Sequence, residues 1–512
     1  MNLAAMFLAT IGPFGAQDYR LAAPMIVLTL FALLILCMDL LLPAALKHYN
    51  ALTALAGLAA TAYSTWRVQH LLPADGSALI GFMRAFRMDP FAVYFYYLYL
   101  AGAAVAVLIS VKYLEIERED HGEFYALILF CVTGMMGMVS GNDVVLIYIS
   151  LETMAISSYV LVGFLRSNRR SNEAALKYML LGAFSSAIFV YGLSVLYGIA
   201  GSTNLTDISQ ALTRRLATSP NDPLAILALL TVMTGMLFKI AAAPFHMWAP
   251  DAYEGAPTSI TGFMSVAVKA AGWAMMLRIL LLGLAPLRTL YLPMLVFVAL
   301  TTLAAGNFAA ITQTNTKRLL AYSSISHVGY MLLGVIASDG VSNRTGIKGI
   351  LFYLLAYTFM NLGAFTVLTS LRRRNIIGDT LDDLGGLMRK APAEAVLMLI
   401  FLLSLAGIPP LAGFYGKYFI FLSLIETGHY RLATVAVLFA VIALYYYLRI
   451  ANAMFMQKEN TAEPVKLSPL MNVGLVITGL ATVIIGVFPN PFIQAVNWSV
   501  ANLLGGGMAM LK

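Results

Sequence analysis

Four ionisable side chains stand deep inside apolar runs: Glu152 in Tyr148-Ile149-Ser150-Leu151-Glu152-Thr153-Met154, Lys239, Lys269 and Lys417. In hydrocarbon each such charge costs about 2.5 to 3.5 kcal/mol on insertion scales, so it persists only where a partner or a watery path holds it. One acid and several amines suit the holding and passing of protons. An amine keeps its proton while a carboxylate stands close and yields it when the carboxylate withdraws. Helical spacing adds neighbours: Thr231, Gly235 and Lys239 form one stripe, Lys269 shares a face with Ser265 and Gly272, and Lys417 lies on the Gly413 face. His327 shares a face with Ser323 and Tyr330 and is a candidate relay, because imidazole titrates near neutral pH. Lys177 is the last candidate; it stands one turn into its run and four residues after Glu173, so a surface pair explains it as well as proton work does.

Other polar residues have plainer readings. Tyr353, Tyr357 and Asn361 make a stripe of the kind used in helix packing. Lys317 and Arg318 read as anchors at a helix mouth, and His246, Asp251 and Glu254 as a mouth lining or helix cap rather than metal ligands, since no second His stands at ligand spacing. Cys37 and Cys131 are far apart in apolar runs and read as packing residues. With no GxGxxG after a strand, no Walker A loop and no CxxCH, the expectation is a chain without cofactor or metal of its own.

These residues need helices to position them. Of 512 residues 60% are hydrophobic and 11% charged, where a soluble domain carries roughly 25% charged. That excludes a water-soluble enzyme, and the net charge of +8 is too dispersed for a nucleic-acid surface. Apolar runs lie near 22–42, 51–66, 91–111, 124–141, 143–165, 174–199, 224–248, 259–284, 290–312, 318–337, 349–371, 393–425, 431–456 and 468–488. They are continuous rather than alternating, which argues against strands and a barrel. The expected fold is all-α, a polytopic transmembrane bundle of about 14 helices.

Two runs are interrupted alike, the seventh by Lys239-Ile240-Ala241-Ala242-Ala243-Pro244 and the twelfth by Ala406-Gly407-Ile408-Pro409-Pro410-Leu411-Ala412-Gly413. Proline breaks the helix there, and the freed backbone groups must meet protein or water. An offset of five runs between the breaks makes the second set enter from the opposite side, as in an inverted repeat. The organisation expected is residues 1–122 (helices 1–3), 123–285 (helices 4–8), 286–457 (helices 9–13) and 458–512 (helix 14 and tail). Arg166, Arg169, Arg170, Arg372, Arg373, Arg374, Arg389 and Lys390 fall in connections that the positive-inside rule assigns to the cytoplasm, leaving both termini outside. Arg67, Arg84, Arg87, Arg214 and Arg215 count against this.

Five segments carry a family resemblance: SLETMAISSYVLVG around Glu152, ALKYMLLGAFSSAIFVYGLSVLYGIAGSTNL at 175–205, LFKIAAAPFHMWAPDAYEGAPT at 237–258, KRLLAYSSISHVGYML at 317–332 and SLAGIPPLAGFYGKYFIF at 404–421. Over roughly residues 20–490 the chain resembles the antiporter-like membrane subunits of respiratory complex I, NADH-quinone oxidoreductase. Its N branch is nearest, because the M branch usually carries glutamate where Lys417 stands and the L branch continues into a long lateral helix. The resemblance implies that Glu152 modulates Lys239, and that Lys269 and the His327 region continue a polar axis to Lys417. It implies a proton-translocating translocase subunit of the bacterial inner membrane. NADH, FMN, iron-sulfur clusters and quinone would lie in partner subunits, with the M, K and J types and the lipid bilayer as neighbours and no nucleic acid. An Mrp-type cation/proton antiporter subunit is the nearest rival, and a structural spacer whose charges only hold helices together is a third reading.

Overall fold

The computed structural model describes residues 14–43, 46–338, 343–371, 379–457 and 468–501. Arg372, Arg373 and Arg374 therefore lie outside the described residues. The helices are α1 (Ala16–Leu41), α2 (Tyr49–Gln69), α3 (Pro90–Glu117), α4 (Gly122–Ser140), α5 (Val144–Val162), α6 (Arg169–Ala200), α7 (Leu205–Thr218), α8 (Pro223–Lys239) and α9 (Trp248–Gly255). There follow α10 (Thr258–Gly283), α11 (Arg288–Thr312), α12 (Thr316–Ile336), α13 (Thr345–Ser370), α14 (Pro392–Ala406), α15 (Ala412–Glu426), α16 (Tyr430–Met456), α17 (Pro469–Val487) and α18 (Asn490–Val500). Among the described residues, eleven helices are long and apolar enough to cross a membrane. Counting the less apolar α2 and taking the broken pairs α8–α9 and α14–α15 as one unit each, the helical units correspond to the fourteen apolar runs of the sequence.

Two short helices outside those runs, α7 and α18, and a hairpin of β1 (Leu79–Gly81) with β2 (Phe86–Met88) are additions that hydropathy does not announce. Strands of three residues are too short to show alternation. The hairpin lies at one end of the bundle, beside the α4–α5 and α6–α7 turns: Phe86 bridges Gly141, Asp143 bridges Asn204, and Arg84 pairs with Asp207 at 2.9 Å. This end is the hairpin face; the other is the loop face.

Side-chain caps start seven of these helices. Asp89, Asp143, Asn168, Asn204, Asp222, Asn315 and Ser468 each accept from a backbone N–H of the following first turn, with Pro90, Pro223 and Pro469 at the first helical position. The inner helices are α10, α12 and α13, in which 94%, 94% and 89% of the most apolar stretch is buried, against 28% in α1 and α16. The candidate residues on α10 and α12 are thereby kept from lipid. Cys131 is buried in this packing, but Cys37 is exposed on α1, so the packing reading fails for Cys37.

Both breaks fall where proline predicts. Their freed groups find protein partners: the Ala243 amide donates to Thr302 (2.9 Å), Trp248 Nε1 donates to the Phe238 carbonyl (2.9 Å), and the Gly413 amide donates to Ser404 Oγ (3.0 Å). The turn out of α8 puts Ala241 at φ 60°, and the turn out of α14 puts Gly407 at φ 88°.

Candidate functional site

Lys239 is the last residue of α8 and is buried at the first break. Glu152 of α5 stands across from it, and both line one small cavity with Ser186, Phe189 and Gly235, which has room for about one water molecule. The Glu152 carboxylate accepts from Ser186 Oγ of α6, and no ion pair within 4.0 Å joins it to Lys239. The acid is thus held beside the amine rather than on it. Thr231 of the expected stripe spends its hydroxyl on its own helix, donating to the Leu227 carbonyl at 2.8 Å.

Gly272 brings α10 against this break. A Cβ there would meet Ile240 Cγ2 at 3.1 Å and Lys239 Cγ at 3.5 Å. One turn earlier on α10, the buried Lys269 ammonium donates to Ser324 Oγ of α12 and to the Ser324 carbonyl (3.3 Å), and lies 5.8 Å from the Tyr253 ring centre. Beyond Ser324, His327 Nδ1 meets Tyr353 Oη at 2.5 Å and Nε2 meets Tyr447 Oη at 2.9 Å, while Ser323 also bonds Tyr447. A neutral imidazole donates from one nitrogen and accepts at the other, so His327 joins two phenols in either tautomer.

Lys417, on α15, reaches back across the second break. Its ammonium donates to the carbonyls of Ala406 (2.7 Å) and Leu405 (3.1 Å), the last of α14, and lies 5.2 Å from the Tyr330 ring centre. Those carbonyls are the negative end of a helix, a favourable place for a cation. Gly407 makes room: a Cβ there would fall 2.8 Å from Lys417 Cδ.

The structure buries Lys239, Lys269, His327 and Lys417 inside the helix bundle, sets Glu152 half-buried beside Lys239, and leaves Lys177 apart from them. Lys177 is 47% exposed at the loop face, paired with Glu173 (2.9 Å) and Asp251 (3.2 Å). Arg318 joins Asp251 and Glu254 there, as a mouth lining predicts, and the buried Lys317 donates to the Ala256 carbonyl at 2.7 Å. Tyr353, Tyr357 and Asn361 do more than pack. Tyr353 bonds His327, the Tyr357 ring lies 5.1 Å from it, and Asn361 donates to Ser265 Oγ at 2.7 Å. Sequence reasoning missed Tyr447, which carries no signal among 26 tyrosines. It also missed the buried Asp89–Arg278 pair, because each residue falls near the end of its run, where a charge is ordinary.

Residues 141–443 match the family described as NADH:quinone oxidoreductase/Mrp antiporter, TM. The chain is 64% identical over 489 residues to NADH-quinone oxidoreductase subunit N 1 of Koribacter versatilis, covering 95% of this chain and 96% of that one. A chain of Thermus thermophilus respiratory complex I aligns with a TM-score of 0.76 at 32% identity, over 92% of this chain and 99% of that chain. A chain of the Dietzia Mrp complex shares the fold, with a TM-score of 0.81 at 20% identity, over 96% and 99%. With eleven helices long and apolar enough to cross a membrane among its described residues, and these relatives, the chain belongs to the subunit N family of NADH-quinone oxidoreductase, the antiporter-like multi-pass subunits of respiratory complex I in the bacterial inner membrane.

Proposed function

We propose that this subunit moves protons through the membrane along Glu152, Lys239, Lys269, His327 and Lys417, driven by redox chemistry in partner subunits that hold the NADH, flavin, iron-sulfur and quinone sites. The observation that carries the reading is three buried lysines set along the helices that flank two helix breaks, with Ser324, Tyr353, His327 and Tyr447 between the second and third. Approach of Glu152 holds the Lys239 proton, and retreat of the carboxylate to Ser186 sends it toward Lys269. The buried hydroxyls of Tyr253 and Tyr357 lie beside Ser324, the Lys269 partner, and that of Tyr330 beside Ser326. Neighbouring subunits of the M, K and J types are the partners this reading requires.

Two five-helix repeats, at 123–285 and 286–457, organise the path. In support, α4 packs extensively on α5 and α6 on α8, as α11 does on α12 and α13 on α15. The test is Lys239→Ala in the whole complex, with NADH-driven proton uptake measured in membrane vesicles. Loss of uptake by about a hundredfold is expected from removing a proton-transfer group; normal uptake in an assembled complex would overturn the role of Lys239. If the chain purifies without NADH oxidation, a free-standing cation/proton antiporter replaces this reading.

A further inference from the structure

The α10 helix is not a uniform α-helix. Its middle segment, Lys269–Arg278, is α-helical, but π-turns bound it on both sides, at Met264–Val268 and Ile279–Gly283. A π-turn breaks the regular register and occurs frequently at functional sites, so the rotation of this segment depends on what its side chains grip as well as on the helix on either side. It has two polar grips. At one end Lys269 holds Ser324 of α12. At the other, Arg278 is fully buried and spends its guanidinium on two partners. Nη1 and Nη2 donate to Asp89 Oδ2 (2.6 Å) and Oδ1 (2.9 Å), while Nε and Nη2 donate to the Val139 carbonyl of α4 (3.0 and 2.7 Å). Asp89 is itself immobilised, accepting from the Ala92 amide (2.9 Å) and from Arg87 Nε of the hairpin (2.8 Å).

Nine residues of α-helix separate the grips by about 14 Å and turn them to opposite faces. Two grips at opposite ends and opposite faces resist both sliding and rotation of the segment. None of Arg278, Asp89, Arg87 or Val139 touches the path described above.

We propose that Arg278 and Asp89 are a positioning pair for Lys269, fixing the Lys269–Arg278 segment so that the ammonium meets Ser324. The proposal rests on the reading of Lys269 as a proton carrier. The ordinary alternative, a buried ion pair that serves assembly alone, predicts fewer assembled complexes with unchanged behaviour per complex.

The experiment uses the intact complex in membrane vesicles carrying Arg278→Gln, Arg278→Lys or Lys269→Ala. Proton uptake per assembled complex is measured across pH. A 1 Å misplacement can cost about a hundredfold; we expect a roughly tenfold fall and a displaced pH profile in R278Q, with R278K intermediate because it keeps the charge without the forked grip. Where R278Q does not assemble, R278K decides alone. A wild-type rate and profile in the assembled variant overturns the positioning role. Lys269→Ala is scored separately: normal uptake there defeats the reading of Lys269 itself, whereas lost uptake there with unchanged Arg278 variants defeats only the pair.

Discussion

The two helix breaks solve one problem by different chemistry. At the first, the lysine is the last residue of the inbound helix, and a glutamate on a neighbouring helix shares its cavity. At the second, the inbound helix ends in Ala406, where no charge is possible, and Lys417 comes from the outbound helix to lay its ammonium on the Ala406 and Leu405 carbonyls. Lys239 itself closes its inbound helix, and the Lys417 ammonium lies on the end of its own, so each lysine serves the C-terminus of a helix that stops at a break. Only the first has a titratable acid beside it. A cation held by fixed carbonyls has a constant environment, whereas one held by a side-chain carboxylate has an environment that can be changed. The first break is therefore suited to control and the second to reception, and a substitution that exchanges their features probes this division.

The largest effect is expected from moving the second amine. Lys417→Ala should lower NADH-driven proton uptake by about a hundredfold, the scale of a lost proton-transfer group. Adding Ala406→Lys to that variant places an amine where the first break has its own, and partial recovery is expected. No recovery, in an assembled complex, would mean that the outbound helix is required for more than delivering a charge.

The turns out of the inbound helices give the next effect. Gly407 at φ 88° is both left-handed and crowded by the Lys417 stem, so Gly407→Ala should destabilise the subunit by about 1 to 3 kcal/mol and displace Lys417. Ala241, at φ 60°, is the reverse case, a non-glycine residue already in that region. Ala241→Gly removes a strain of about 1 to 2 kcal/mol at some cost in chain entropy, so its thermal stability should match or exceed the wild type. A large loss on Ala241→Gly would show that the Ala241 methyl packs the break closed.

A smaller effect tests the control assigned to the first break. Ser186→Ala removes the hydroxyl that holds Glu152. With that partner gone the carboxylate should settle toward Lys239 and slow proton release roughly fivefold, the worth of about 1 kcal/mol. The same substitution at Ser404, beside the second break, should leave the rate nearly unchanged, since Ser404 touches backbone and Met360 rather than an acid.

The sequence was informative wherever a residue contradicts its surroundings. Glu152, Lys239, Lys269 and Lys417 are visible because hydrocarbon makes charges costly, and both breaks because proline cannot continue a helix. Tyr447 is invisible for the converse reason, and Tyr353 reads only as packing: a phenol is at home in an apolar helix, and only tertiary contact with His327 gives either a further role. Asp89 and Arg278 escaped notice because a charge near the end of a run passes for an interfacial residue. Here the chain folds the two ends onto each other, 189 residues apart, and buries them. The hairpin, at three residues a strand, has no period to read.

Lys177 marks the smallest expected effect and the outer limit of the first break's machinery. The outbound helix α9 is tied at the loop face by ions from two sides, Lys177 of α6 and Arg318 of α12, which share Asp251. Arg318 also holds Glu254 at 2.9 Å, so α9 stays anchored when Lys177 is lost. An exposed pair of this kind contributes about 0.2 to 1 kcal/mol, and Lys177→Ala should change proton uptake by no more than about twofold. Asp251→Ala removes the Lys177 tie and one of the two that Arg318 makes, leaving only Arg318–Glu254, and should exceed it. If Lys177→Ala instead approached the loss expected for Lys239→Ala, protons would have to pass through the loop-face cluster before reaching Lys239. Control at the first break would then begin at the membrane surface rather than at Glu152.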